Sequence, residues 1–260
     1  MIYLTGDTHG VLGSRRLTAD RFPPGRTPTE EDMVIVLGDF GLLWSDPPTD
    51  REASELRRIE SLPWTTLFLD GNHENFTLLN ALPEEDRWGG PVGVVSPHVV
   101  HLKRGNVYTL QERRCFVLGG AASVDKAWRV PGESWWREEI PSLEEFDRGR
   151  VALERVGWSV DWILTHTAPN AVLQAMDLGK YLVGDPVSDY LDELYARATY
   201  DRWYCGHFHR DRVFDDGRFV VVGEGIVEGG AGTFLVSDGD RPGLCDRLRG
   251  MGARRPREGD

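Results

Sequence analysis

Five of the seven histidines stand in short polar clusters, and each cluster directly follows an apolar run. The clusters also contain aspartate and asparagine, whereas the three cysteines lie outside them. Imidazole, carboxylate and amide groups together suit divalent metals such as Mn²⁺, Fe²⁺, Zn²⁺ or Co²⁺. A lone histidine is more often structural than catalytic, but five in matching contexts indicate a shared site. These histidines are His9, His73, His166, His207 and His209.

The clusters offer more ligands than one four-coordinate ion can use. Asp7 and His9 are separated by one residue, as are His207 and His209, so a small turn can direct both side chains of a pair at one ion. Two ions that share a carboxylate would use the whole set. Two ions about 3.5–4 Å apart can clamp a phosphate and generate a hydroxide nucleophile at neutral pH. The residues therefore predict a dinuclear centre that acts on a phosphate.

The apolar runs before the clusters have the length of buried strands and are bounded by glycine or polar residues. Helix-compatible stretches lie between them, and Ser142 with Glu145 forms a capping box that predicts a helix to about Arg155. Strands that alternate with helices indicate an α/β fold, in which functional groups collect past the carboxyl ends of the strands. We therefore expect the clusters to meet at one edge. The predicted strands are 2–4, 33–37, 65–69, 162–164 and 203–205, and the other predicted helices are 51–61 and 189–199.

Residues 89–140 are rich in Gly, Pro, Val and Trp and predict a second stretch of sheet followed by an excursion, residues 121–141. Tryptophan usually packs, so the favoured interpretation is that the tryptophans of the excursion cover core and its cations are solvated. The alternative is a cap in which Lys126 and Arg129 bind a charged substrate while a tryptophan stacks on a base. The predicted strands are 99–102, 106–110 and 115–118, and the tryptophans are Trp128, Trp135 and Trp136.

Five motifs occur in order between residues 5 and 209: GDxHG, GDxG, GNHE, a single histidine after a later strand, and GHxH. Any one of them is a weak signal, but five in order at strand ends are specific. In this set the sequence resembles the calcineurin-like metallophosphoesterases. The resemblance implies a two-sheet sandwich flanked by helices, with four αββα layers, and a dinuclear metal centre that hydrolyses phosphoester bonds.

The resemblance also implies a role for each polar residue of the motifs. Asp39 would bridge the two ions, and a hydroxide that bridges them would attack phosphorus. His73 would bind no metal and would instead stabilise the transition state or protonate the leaving oxygen. Mn²⁺ is the expected ion, with Fe, Zn or Co as alternatives. The first ion would be held by Asp7, His9, Asp39 and His209, and the second by Asp39, Asn72, His166 and His207.

The sequence departs from the protein Ser/Thr phosphatase branch of that family. That branch carries an Asp-Arg pair three and four residues after the bridging aspartate, where this chain has Leu42 and Leu43. This departure disfavours a protein phosphatase and requires another group to orient His73. Asp70 is a candidate for orienting a metal-bound histidine. Arg210, which follows the GHxH motif, is a candidate for a phosphate contact.

The charge balance restricts the class of substrate. The 260 residues include 30 Lys and Arg against 42 Asp and Glu, a net charge of −12, which argues against broad polyanion binding. We therefore expect a phosphorylated small molecule or a nucleotide as substrate. One alternative is a nuclease that acts on short or single-stranded nucleic acid. Another is a non-catalytic metal-binding scaffold for protein interactions, although such proteins usually lose ligands.

The remaining expectations concern location and domain organisation. No apolar run approaches the roughly 20 residues of a membrane-spanning helix. The three cysteines are widely spaced without a CxxC motif, and a predicted strand follows Met1 at once without a leader, which together favour a reducing cytoplasm. The sequence predicts one domain over residues 1–237 and a flexible Gly/Arg-rich tail over residues 238–260.

Overall fold

The computed structural model describes residues 1–178 and 185–237. Six helices and fourteen strands lie in these ranges. The helices are α1 Val11–Ser14, α2 Asp50–Glu60, α3 Phe76–Asn80, α4 Leu143–Arg155, α5 Asn170–Ala175 and α6 Pro186–Arg197. The strands are β1 Ile2–Thr5, β2 Met33–Leu37, β3 Thr65–Leu69, β4 Glu84–Arg87, β5 Gly90–Ser96, β6 Val99–Leu102, β7 Asn106–Leu110, β8 Arg113–Leu118, β9 Trp162–Thr165, β10 Arg202–Cys205, β11 Arg212–Phe214, β12 Phe219–Val221, β13 Ile226–Glu228 and β14 Thr233–Val236.

The strands form two mixed sheets. The first has the order β14-β13-β1-β2-β3-β6-β5-β4, and the second has the order β11-β12-β10-β9-β8-β7. Strands β1, β2, β3 and β6 run parallel in the first sheet, and β8, β9, β10 and β12 run parallel in the second. The loops that carry the histidine clusters follow β1, β2, β3, β9 and β10, so every cluster leaves a parallel strand at its carboxyl end.

Three apolar clusters give the fold its layers. The inner faces of the two sheets pack on each other, with Leu37 and Leu69 from the first sheet beside Leu164 and Tyr204 from the second. The outer face of the first sheet packs against α2 and α3, and the outer face of the second packs against α4, α5 and α6. The predicted α/β sandwich with four αββα layers is therefore confirmed.

The local signals in the sequence agree with the observed elements. The capping box of Ser142 and Glu145 opens α4, which ends at Arg155 as predicted. A second capping box, formed by Thr49 and Glu52, opens α2. Each box satisfies backbone N–H groups that the first turn of a helix leaves without partners. Every strand predicted from an apolar run is present, and its ends match the prediction or differ from it by at most two residues.

Two other expectations concern buried and terminal segments. Cys115 and Cys205 are buried and free, which agrees with the reducing compartment that the cysteine spacing favours. Within residues 1–178 and 185–237, none of the helices combines the length and the apolar character that crossing a bilayer requires. The predicted tail, residues 238–260, lies outside the described residues, and the division into a domain and a tail stays a prediction.

Candidate metal centre

Four of the seven predicted ligands have a left-handed backbone conformation, which residues other than glycine rarely adopt. The backbone angle φ is 47° at His9, 49° at Asp39, 69° at His207 and 52° at His209. Such residues cost of order 1–3 kcal/mol each and persist only where the surrounding structure holds them. Their concentration at the strand ends indicates that the loops are shaped to bring these side chains together.

The first cluster joins the loop after β1 to the loop after β10, although these loops are about 200 residues apart in sequence. Asp7 Oδ2 lies 3.3 Å from His209 Nε2 and 3.6 Å from His9 Nε2. The two imidazole nitrogens lie 3.3 Å apart, and their rings are stacked at 5.0 Å between centroids. Asp7 Oδ1 accepts a hydrogen bond from the backbone N–H of His207 at 2.8 Å, which leaves Oδ2 directed at the two histidines.

The second cluster combines residues from the loops after β2, β3, β9 and β10. Asp39, His166 and His207 each offer a ligand atom within 4.8 Å of the others. His166 Nε2 lies 3.2 Å from Asn72 Oδ1, and His166 Nδ1 donates to the Leu37 carbonyl at 2.7 Å. A histidine whose Nδ1–H is held by a carbonyl presents its Nε2 lone pair to a metal.

Asp39 belongs to both clusters through different oxygens. Its Oδ2 lies 3.6 Å from His9 Nε2, whereas its Oδ1 lies 3.4 Å from His166 Nε2. Among the residues that the structure describes, none donates a hydrogen bond to the buried Asp7 Oδ2, which is an unusual state for a carboxylate oxygen. Converging imidazole nitrogens, an oxygen that lacks a donor and a shared carboxylate form a donor set that fits two divalent cations.

Burial and neighbouring charges shift the pKa values of this site in opposite directions. Burial raises the pKa of Asp39, but its interactions with the neighbouring His166 and His73 imidazoles outweigh burial and hold that pKa well below its usual range. Burial lowers the pKa of His166, but Asp39 and Asp7 raise it to about 9. For His207 burial dominates, and its pKa falls to about 3. The Asp39 carboxylate is therefore ionised at neutral pH, as a cation ligand must be.

Two glycines allow the backbone to approach the clusters. Gly38 has φ of 95°, and a Cβ at this position would overlap the His166 ring. A Cβ at Gly71 would overlap Asp39 Oδ1 and lie 2.7 Å from His166 Nε2. Both positions therefore require glycine, because a side chain would occupy the space in which the ligand atoms converge.

His73 lies beside the clusters at an opening of the protein surface. A cavity of about 250 Å³ is lined by His9, Gly41, Trp44 and His73. The rings of His73 and His9 lie 5.0 Å apart, edge to face, and the backbone N–H of His73 donates to Asp39 at 2.7 Å. Burial lowers the pKa of His73 to about 4.

The excursion places a cation, Arg129, beside His73, where the sequence indicated only a candidate contact for the substrate. Arg129 Nη2 lies 2.7 Å from each ring nitrogen of His73, so the guanidinium lies against the imidazole. Asp125 holds Arg129 through an ion pair of 2.9 Å. Leu42, which replaces a polar residue of the phosphatase branch, is buried in the core. The excursion therefore supplies the guanidinium that contacts the His73 ring, and Asp39 of the loop after β2 accepts from the His73 backbone.

The favoured interpretation of the excursion, tryptophans on core and cations in solvent, is wrong for two residues. Trp136 is buried as expected, but Trp128 is 90% exposed, because the short turn at Lys126–Trp128 directs it outward. Arg129 lies against His73 with 10% of its side chain exposed, and it pairs there with Asp125. Lys126 Nζ lies 5.6 Å from the centre of the Trp135 ring, which places it on an aromatic face.

Asp70 does not orient a histidine of either cluster, so that interpretation is wrong. It accepts from Arg104 Nε at 2.7 Å and pairs with His101 Nε2 at 3.0 Å, and all three residues are buried. Burial raises the pKa of Asp70, but Arg104 and His101 outweigh it and lower the pKa to about 2. The physical reason is that the Asp70 side chain points away from the clusters and toward β6 and the loop after it. Arg210 is half-buried, and its phosphate contact stays a prediction.

The sequence analysis gave no role to Glu74 of the GNHE motif and missed Ser123 and Glu139. Glu74 is buried and accepts from the backbone N–H groups of Phe40 and Gly41 at 2.7 and 3.0 Å, so it braces the loop that carries Asp39. Burial raises the pKa of Glu74 to about 8. Ser123 and Glu139, both in the excursion, reach Asn72 through hydrogen bonds. A serine five residues after β8, at the same sheet edge as the clusters, was the available signal for Ser123.

The layered fold and the paired histidine and aspartate clusters define a metal-dependent phosphoesterase. The family model described as calcineurin-like phosphoesterase matches residues 1–211, and the chain belongs to that family. This result confirms the resemblance that the motifs indicated.

Two known proteins illustrate the similarity. The lariat debranching enzyme of Schizosaccharomyces pombe is 25% identical over 232 residues, which cover 78% of this chain and 47% of the relative. The chain thus spans about half the length of that curated relative. Phosphopantetheinyl hydrolase from Mycobacterium tuberculosis is a solved structure with a TM-score of 0.46 and 17% identity, covering 85% of this chain and 89% of that chain.

Proposed function

We propose that the chain hydrolyses a phosphoric mono- or diester at two divalent ions, each held by one of the two clusters. The observation that carries this proposal is that the two oxygens of the Asp39 carboxylate face different groups of histidines. A carboxylate in that position can be shared between two ions. The full donor set also distinguishes this chain from a scaffold that has lost catalysis.

The residues assigned to each ion are those that the motifs predicted. Asp7, His9, Asp39 and His209 hold the first ion, and Asp39, Asn72, His166 and His207 hold the second. Mn²⁺ is the ion expected at both positions, with Fe, Zn or Co as alternatives. When bound, the ions supply Lewis-acid polarisation of a phosphoryl oxygen and a water acidic enough to attack phosphorus at neutral pH.

The substrate enters through the cavity beside His73. Since the His73 ring lines this cavity, it contacts a phosphoryl oxygen in the transition state or the leaving oxygen. Arg129 adds a permanent positive charge at the same place, and its planar fork suits phosphate oxygens. Lys126 and Arg210 are weaker candidates for contacts with the rest of the substrate. The proposed substrate is a phosphorylated small molecule or a nucleotide.

Hydrolysis of two synthetic esters tests this function. Metal-stripped protein is assayed with p-nitrophenyl phosphate and bis-p-nitrophenyl phosphate, with and without Mn²⁺. We expect turnover that depends on Mn²⁺ and falls about 10²- to 10⁴-fold in His73→Ala, because a positioned acid–base group contributes that much. His98→Ala is the matched control, since His98 is exposed and lies outside the site.

Each outcome of this assay has a separate meaning. The preferred ester decides between monoesterase and diesterase. Metal binding without turnover of either ester would favour the scaffold, and a failure to bind Mn²⁺ would remove the assignment of the clusters. Equal losses in His73→Ala and His98→Ala would remove the role of His73.

Trp128 favours one second candidate, a nuclease for short or single-stranded nucleic acid. This side chain is 90% exposed and directly precedes Arg129, which reaches the site. An exposed aromatic ring next to a phosphate-binding cation can stack on a base. A short single-stranded oligonucleotide, assayed beside bis-p-nitrophenyl phosphate, distinguishes this candidate from a small-molecule phosphoesterase.

A further inference from the structure

A chain of hydrogen bonds leads from the excursion to Asn72 at the second cluster. Asn72 Nδ2 donates to Ser123 Oγ at 3.0 Å, and Ser123 Oγ donates to Glu139 Oε2 at 2.5 Å. The other oxygen of Glu139, Oε1, accepts from the backbone N–H of Ser123 at 3.0 Å. The three side chains belong to residues that are more than nine-tenths buried, so water does not replace these bonds.

The carboxylate at the end of this chain fixes the direction of every bond. An ionised carboxylate only accepts hydrogen bonds, so both the hydroxyl and the backbone N–H of Ser123 must donate to Glu139. The hydroxyl has one proton, and once that proton is donated it offers only lone pairs to Asn72. The Asn72 amide must therefore turn its NH₂ group to Ser123.

This direction decides which atom Asn72 presents to the second cluster. With the NH₂ group held by Ser123, the amide oxygen faces His166 Nε2 at 3.2 Å. In the opposite orientation the cluster would face an NH₂ group, which donates hydrogen bonds and offers no lone pair to a cation. The two orientations have nearly the same shape, so only the hydrogen-bond network selects between them.

We propose that Ser123 and Glu139 are positioning residues for the second ion, because they hold the Asn72 amide with its oxygen toward the cluster. The proposal rests on the proposed function, in which Asn72 is a ligand. Neither residue is placed to touch substrate. Partners of this kind typically change metal affinity by about 10- to 100-fold when they are substituted.

The substitution Glu139→Gln keeps the shape of the side chain but reverses the direction of the hydrogen bonds between residues 139, 123 and 72. The backbone N–H of Ser123 still requires an oxygen, so the new NH₂ group takes the place of Oε2 and donates to Ser123 Oγ. The hydroxyl then donates to Asn72, whose amide turns over. We expect a titration of the metal-free protein with Mn²⁺ to show one of two equivalents weakened about 10- to 100-fold.

Glu138→Gln is the matched control for this titration. It makes the same chemical change at the preceding residue, which is exposed and lies outside the hydrogen-bond chain. We expect it to bind both equivalents of Mn²⁺ like the unsubstituted protein. Thermal unfolding of the metal-free variants checks that each one folds.

A second substitution separates direction from a general structural role. In the Glu139→Gln background, Asn72→Asp provides an acceptor for the proton that Ser123 now donates, and it keeps an oxygen toward the cluster. In the natural background the same change leaves two carboxylates, at positions 72 and 139, that compete to accept the single hydroxyl proton of Ser123. Asn72→Asp should therefore raise the affinity for the second Mn²⁺ ion more in the Glu139→Gln background than in the natural one, by a factor of at least about ten.

The proposal is overturned if Glu139→Gln and Glu138→Gln bind Mn²⁺ alike, or if Asn72→Asp acts equally in both backgrounds. If Glu139→Gln does not fold, Ser123→Ala and Ser123→Thr provide the test, because only threonine keeps the hydroxyl. Equal Mn²⁺ binding by that pair would overturn it as well. Failure of the proposed function looks different, since the unsubstituted protein would then bind no Mn²⁺ or bind it without hydrolysing either ester.

Discussion

Gly71 lies where the second cluster leaves no room for a side chain. The substitution Gly71→Ala therefore tests how far the ligand atoms of that cluster can move before metal binding is lost. A Cβ at this position would lie 2.7 Å from His166 Nε2 and would overlap Asp39 Oδ1. Ordinary contact begins at 3.4 Å, so the imidazole nitrogen would have to retreat by about 0.7 Å. Metal–ligand distances tolerate shifts of only about 0.2 Å. The required displacement is about three times that tolerance.

Gly71→Ala should therefore lose the second equivalent of Mn²⁺ while the fold survives. Overpacking of this kind costs roughly 1–3 kcal/mol, which corresponds to a fall in Tm of roughly 2–12 °C for a chain of this size. Misplacement of a reacting group by about 1 Å costs about 10²-fold in rate, so turnover of bis-p-nitrophenyl phosphate should fall by about that factor.

The measurements are a Mn²⁺ titration of the metal-free protein, steady-state turnover and thermal unfolding. Gly230→Ala is the matched control, because a Cβ at Gly230 meets no atom of the described residues within 4 Å and the backbone lies outside the left-handed region. The reasoning fails if Gly71→Ala binds two equivalents of Mn²⁺ with the affinity of the control. It also fails if both variants lose metal equally.

Three further predictions concern residues around the clusters. Arg129→Ala should raise KM about 10- to 100-fold, since a charge-assisted hydrogen bond is lost, without changing the Mn²⁺ stoichiometry; steady-state kinetics on bis-p-nitrophenyl phosphate with an unchanged KM would contradict this. Asp70→Asn should lower the free energy of unfolding at pH 7 by about 3 kcal/mol, because the buried Arg104 then keeps only its longer contact with Glu145 at 3.5 Å. Since the pKa of Asp70 is lowered to about 2 from 3.8, this stabilisation is present above pH 4 and fades as the pH falls toward 2, so urea denaturation at pH 7 and pH 3 should give a smaller difference at the lower pH. Trp128→Ala should change the free energy of unfolding by less than about 0.5 kcal/mol, because the ring is exposed. If the substrate is an oligonucleotide, its KM should rise roughly tenfold in Trp128→Ala while that of the small ester stays the same.

The positions of the histidine clusters were predictable because parallel strands deliver their carboxyl ends to one edge. Asp7 and His209 are about 200 residues apart, yet their side chains lie within 3.3 Å. The sequence contains the two facts that this requires, an apolar run of strand length and a polar pair directly after it. Neither fact depends on distant packing, so the prediction did not need the rest of the fold.

Features that depend on tertiary contacts were not predictable. Glu138 and Glu139 are identical neighbours, but the first is exposed and the second is 2% exposed and bonded to Ser123. Trp128 and Trp136 likewise share a residue type and differ in exposure, because the turn between them sets their directions. The edge strand β4, with the sequence Glu-Glu-Asp-Arg, has no apolar alternation, so its place in the sheet comes from pairing with β5.

The excursion touches the site at two adjacent residues, at Asn72 through Ser123 and at His73 through Arg129. Because one segment contacts both residues, a ligand that binds at His73 and an ion that binds at Asn72 both act on the same segment. If the ordering of this segment at Arg129 by an ester also favours the second ion, the coupling is reciprocal, and that ion raises the affinity for the ester by the same factor. Where free metal is scarce, full loading would then belong to the complex with substrate and not to the resting protein.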